Sequence, residues 1–97
     1  MTIDKDTLAQ EALNLLKQLI TIPSLSEEEE ETGNAINAWL NKFGVATQRQ
    51  YNNIYAFNKH YDESKPNLLL NSHHDTVEPN SAYTNDPFDA HIKDGKL

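Results

Sequence analysis

Leu68-Leu69-Leu70-Asn71-Ser72-His73-His74-Asp75-Thr76-Val77 is the stretch on which the fold and the chemistry of this chain turn. Its first three residues form a continuous apolar run, the pattern of a short strand buried on both faces of a sheet. Polar residues follow without a break, and Pro79 marks a loop beyond them. A strand that ends in His-His-Asp delivers side chains to the cleft at the end of an α/β sheet, where ligands commonly bind. His73 and Asp75 are two apart, so in extended backbone they share a face and His74 points the other way. A histidine that binds metal through one ring nitrogen needs the other held by an acceptor, and a carboxylate also raises the basicity of the ring. His73 as ligand with Asp75 as its holding carboxylate is therefore a coherent pair. Spacing alone leaves a second reading open, a surface histidine held by a nearby carboxylate. Ser72 is a poor nucleophile, because it lacks the sharp Gly-flanked turn that exposes a catalytic serine.

Upstream of this stretch the period is helical. Leu8, Ala12, Leu15, Leu16, Leu19 and Ile20 form one stripe, Asp4 and Asp6 favour its start, and Pro23 stops it, which predicts a helix over 5–21. Ser26 and Glu29 have capping-box spacing for a second helix, with Ala35, Ile36, Trp39, Leu40 and Phe43 as its apolar face and Gly44 as its left-handed stop. The glutamates Glu27 to Glu31 read as a solvated helix start, and they lack the alternating oxygen ligands and turn glycine of a calcium loop. From Val45 the period becomes two. A strand through Tyr51, a turn at Asn52-Asn53, a returning strand Ile54 to Asn58 and a loop over 59–66 are the expectation. Two helices followed by about three strands point to an α/β or α+β layered fold.

Composition narrows the function. The chain has 97 residues with 8 basic and 15 acidic side chains, a formal net charge of −7, which argues against binding a nucleic-acid backbone. There is no cysteine, so disulfides, thiolate nucleophiles and Cys-based zinc knuckles are excluded from this sequence. No stretch approaches the ~20 apolar residues of a membrane span. Asp4, Asp6 and Glu11 interrupt any apolar run in residues 1–20, which is not the pattern of a signal peptide. A soluble, acidic, cytoplasmic polypeptide without nucleic-acid or membrane partners is the expectation.

Three ordered motifs carry a resemblance. Leu16-Lys17-Gln18-Leu19-Ile20-Thr21-Ile22-Pro23-Ser24-Leu25-Ser26 followed by glutamates comes first, then Leu69 to Val77, a small residue followed by His-x-Asp-x-Val. The third is Asp86-Pro87-Phe88-Asp89-Ala90-His91-Ile92-Lys93-Asp94-Gly95-Lys96-Leu97. In these the chain resembles the N-terminal part of the zinc-dependent aminoacylase, carboxypeptidase and acetylornithine deacetylase family. The resemblance implies an α/β catalytic domain of three layers with a mixed sheet, of which residues 1–97 would be the incomplete N-terminal portion. It also implies a smaller domain that often mediates homodimerisation. It makes His73 a zinc ligand and Asp75 the catalytic-site carboxylate that holds it, in a centre of two zinc ions for which cobalt can substitute. It further implies amide hydrolysis of an N-acylated amino acid, acetylornithine first, as in arginine biosynthesis. Desuccinylase, dipeptidase and carboxypeptidase activities are the alternatives, with a non-catalytic interaction module beside them.

Some residues depart from the family pattern. His74 fills the variable position of the motif and takes no role from it, Tyr83 stands where many relatives have tryptophan, and His60 and His91 match no ligand. The family's bridging aspartate, its paired glutamates (one the general base) and its later ligands have no counterpart in these 97 residues. The 97 residues alone are therefore expected to be inactive and part of a longer enzyme.

Overall fold

Helix α1 (Lys5–Thr21) begins where Asp4 supplies a cap, its carboxylate accepting the Thr7 backbone N–H at 2.9 Å and the Thr7 hydroxyl at 2.8 Å. The computed structural model of the chain describes residues 4–81 and 86–97, so Tyr83 lies outside the described residues. Both bonds favour the ionised form, and they hold the Asp4 carboxyl below its ordinary range, the Thr7 backbone N–H being the larger cause. The cap therefore stabilises the helix start above about pH 4 and is lost as the pH falls through the lowered value. In an NMR titration the Thr7 amide is expected to shift with a midpoint below that of a free aspartate. Asp4→Asn should abolish the transition. At the other end the Ile22 N–H bonds the Leu19 carbonyl at 3.2 Å before Pro23 ends the helix, as its sequence predicts.

Helix α2 (Glu30–Lys42) packs on α1, with a Lys42–Glu11 ion pair of 3.3 Å across the seam. Its start departs from the capping-box expectation. The residue before it is Glu29, which makes no side-chain cap bond, and Ser26 lies upstream in a turn closed by Glu28 N–H to Leu25 O at 2.7 Å. Leu25 is occupied in a parallel bridge with Thr76, so the chain must turn there, with Glu27 at φ 74°, before it can become helical. On the apolar face Ala35 is buried, and Trp39 stacks on Phe43 at 4.7 Å. Gly44 has φ 78° and ends α2 in the left-handed region, where a Cβ meets no neighbour but strains the backbone. Gly44→Ala is expected to cost about 1 kcal/mol, read as a lower denaturation midpoint with unchanged slope.

Strands β1 (Gln48–Gln50) and β2 (Asn53–Tyr55) form an antiparallel hairpin in which Gln50 faces Asn53. The turn is thus Tyr51-Asn52, one residue earlier than Asn52-Asn53, and both strands are shorter than predicted. Tyr51 takes φ 58°, and its carbonyl accepts Arg49 Nε–H at 2.7 Å. Arg49 also reaches Asn34 on α2 and the Asn52 side chain, which locks the hairpin to the helix. At the far end Lys93 and Lys96 pair around Asp94 (φ 53°) and Gly95 (φ 75°), the hairpin turn that Asp-Gly predicts.

The leucine run corrects the sequence reading most sharply. Leu68, Leu69 and Leu70 are 85%, 84% and 85% exposed and belong to no strand. Leu68 and Leu69 only border an open cavity with Tyr55, Phe57 and Tyr61, so among the described residues the run is barely covered. The α1 stripe is likewise half covered, with Leu8 and Leu16 exposed and no α1 residue buried. The accessible surface is 8243 Å², against roughly 5,600 Å² for a folded monomer of this mass. The radius of gyration is 15.7 Å, against about 13 Å for a compact domain of this length. No described helix is long and apolar enough to cross a membrane.

Candidate functional site

After the leucine run the chain is tied down again at Ser24. Thr76 N–H donates to Ser24 O at 2.7 Å, and Ser24 Oγ donates to the His74 carbonyl at 3.0 Å. These bonds hold 74–76 extended against the segment that links the two helices. In that backbone His73 Nδ1 lies 2.9 Å from Asp75 Oδ1 and 3.1 Å from the Asp75 carbonyl, the pairing that the His-x-Asp spacing predicts. Both partners are acceptors, so Nδ1 carries the proton and the Nε2 lone pair faces outward. No partner meets Nε2 among the described residues. The imidazole is 83% exposed and the Asp75 side chain 38%. Exposed to water, this contact contributes little to stability. Its effect is to fix the tautomer and the direction of the ring.

His73, His74 and Asp75 border a cleft of about 520 Å³ with Leu15, Leu19 and Glu29. One oxygen of Glu29 (Oε2) is buried there without a hydrogen-bond partner among the described residues. A larger cavity of about 700 Å³ lies between Tyr55, Phe57, Tyr61 and Leu69, but it contains none of the His-x-Asp residues. The donor chemistry at His73 suits one metal–nitrogen bond, a neutral imidazole with its second nitrogen on a carboxylate. Three His, Cys, Asp or Glu side chains do not converge on a metal-sized point among the described residues. The residues fit a first ligand and its support, and a complete centre needs further donors.

His74 is the residue that sequence reasoning passed over. It borders the same cleft as His73 and Asp75, and its ring fills a polar slot. Nε2 lies 3.0 Å from the Asn52 carbonyl in the hairpin turn, and Nδ1 lies 2.7 Å from the Thr32 hydroxyl on α2. Thr32 is fully buried, and its hydroxyl also lies 3.1 Å from the Glu29 carbonyl. The alternation along 73–75 was the one available signal, and it gave direction without partners. His60 is exposed beside the larger cavity, and His91 pairs loosely with Asp89 at 3.3 Å, both as ordinary surface residues.

No family model matches the chain. The curated relatives that do match are hydrolases by name. A succinyl-diaminopimelate desuccinylase of Rickettsia bellii, found in two strains, is 33% identical over 92 residues, which is 84% of this chain and 23% of the relative. A probable carboxypeptidase of Arthroderma gypseum is 29% identical over 98 residues, 84% of this chain and 21% of the relative. The chain therefore spans under a quarter of the length of these relatives. They support the aminoacylase and carboxypeptidase resemblance at the level of that broad hydrolase group.

Proposed function

We propose that these residues are the N-terminal portion of the catalytic domain of a metal-dependent amidohydrolase that removes an acyl group from an N-acylated amino acid. The observation that carries the reading is the His73–Asp75 geometry, with Nδ1 held at 2.9 Å and the opposite nitrogen directed outward. When bound, zinc supplies a Lewis acid for the amide carbonyl and acidifies a water towards a pKa of about 7. The chain's own part is to present Nε2 as a donor and to keep Nδ1–H hydrogen-bonded to Asp75, so that the ring neither turns nor loses basicity. The general base and the remaining donors are assigned to chain outside these residues, in a three-layer α/β domain of a cytoplasmic homodimer.

Acetylornithine is the substrate that the family resemblance puts first. The likeness to a desuccinylase favours an N-succinyl amino acid as the second reading. The protein from its native source is expected to have an intact mass several times 11.0 kDa. Stripped with a chelator and restored with zinc or cobalt, it should lose and regain hydrolysis of N-acetylornithine or N-succinyl-diaminopimelate. Equal hydrolysis before and after stripping would remove the metal from the reading. No turnover of either substrate, or of a dipeptide, would remove the hydrolase.

A further inference from the structure

We propose that His74 is a positioning residue, which sets the direction of the His73–Asp75 pair by clamping the backbone between them to three separate segments. The inference rests on the metal-ligand reading of His73. Three bonds converge on this one residue. Its ring meets Thr32 on α2 through Nδ1 at 2.7 Å and the Asn52 carbonyl through Nε2 at 3.0 Å, and its own carbonyl accepts Ser24 Oγ–H at 3.0 Å. The Ser24 and Thr32 anchors are themselves buried, at 2% and 0% exposure. By contrast, the leucines just upstream are barely covered and His73 is exposed. The pair thus gains its fixed direction from the residue between its members. With residue 74 anchored through its ring and its carbonyl, the backbone from which His73 and Asp75 both project is fixed. A glycine or alanine at 74 would leave the Ser24 bond and remove both ring bonds, so the backbone could rotate and carry the metal-binding nitrogen away from its other donors.

The test uses the protein at its native length, loaded with cobalt(II). His74→Ala is expected to weaken cobalt affinity by ~10- to 100-fold and to shift the visible ligand-field bands, the range seen when groups that orient a metal ligand are lost. His74→Asn, which can keep the Thr32 bond, and His74→Gln, which can keep the Asn52 bond, should each recover part of the loss. Thr32→Val removes one hydroxyl and should reproduce part of the effect in wild-type background and none on top of His74→Ala, because the two act as one unit. Thermal unfolding of the metal-free variants is read alongside. A lower melting temperature with wild-type cobalt affinity and bands in the folded protein would make His74 merely structural and overturn the proposal. His73→Ala is the control for the underlying reading. If it leaves the cobalt bands unchanged, His73 is no ligand and the positioning role falls with it. If it abolishes them while His74→Ala does not disturb them, the positioning role alone fails.

Discussion

Replacing His73 by alanine is expected to lower hydrolysis by the native-length protein by on the order of 10³-fold or more, because it deletes a donor to the group that polarises the amide. The side chain is 83% exposed, so its removal opens no cavity and breaks no core contact. Stability of the metal-free protein should hardly move, and a large loss of melting temperature in His73→Ala would contradict the assignment. Asp75 should behave differently. Asp75→Asn retains an oxygen acceptor for Nδ1–H and loses the charge, so metal affinity should fall by ~10- to 100-fold while some turnover survives at saturating zinc. Asp75→Ala retains the backbone carbonyl, which already lies 3.1 Å from Nδ1, so the ring should still be partly oriented. The two Asp75 variants are therefore expected to sit between wild type and His73→Ala. If all three were equally dead at saturating zinc, Asp75 would have a role beyond holding the ring.

The second large effect concerns residues 1–97 expressed alone. They expose 8243 Å² where a compact monomer would expose roughly 5,600 Å². Ala35, still 9% exposed, is the one apolar residue that is buried among the described residues. Leu68 to Leu70, Val77, Leu8 and Leu16 lie open, and the backbone of the leucine run belongs to no described strand, which invites association through apolar surface and strand edges. In sedimentation velocity the isolated segment is expected to run as a mixture of oligomers that grows with concentration. Replacing all three leucines by serine should shift the distribution towards monomer. A monodisperse wild-type monomer that unfolds cooperatively would show that two helices and a hairpin suffice, contrary to this expectation.

What the sequence made legible was local. The α1 bounds, the Gly44 stop, the hairpin and the Asp94-Gly95 turn depend on residues within a few positions of one another, and each was readable from period, cap or turn chemistry. The pairing of His73 with Asp75 was readable for the same reason, since the two share a face by backbone geometry. The misses have long-range causes. Ser26 has capping-box spacing, but the bridge from Leu25 to Thr76 takes up the chain first. Asn52-Asn53 was a plausible turn, but Arg49 fixes Tyr51-Asn52 by bonding the Tyr51 carbonyl and the Asn52 side chain. A leucine run says that cover is wanted and cannot say what supplies it. His74 was invisible because its partners, Thr32 and Asn52, lie in other elements and carry no pattern that points to it.

The bonds that seat 74–76 join positions 22 to 52 residues apart, from Asn52–His74 to Ser24–Thr76. Each closes a long loop, at an entropic cost that helices and a tight hairpin do not bear. The helices and the hairpin can therefore form early in folding, with the His-x-Asp segment docking onto them last. The reverse holds for excursions from the native state: this segment should be the first to lift away, with the amide of Thr76 exchanging faster than those in the middle of α1. An ion bound at His73 would then act as a fastener on the latest-forming part of the chain, and metal supply would govern how long the segment stays docked.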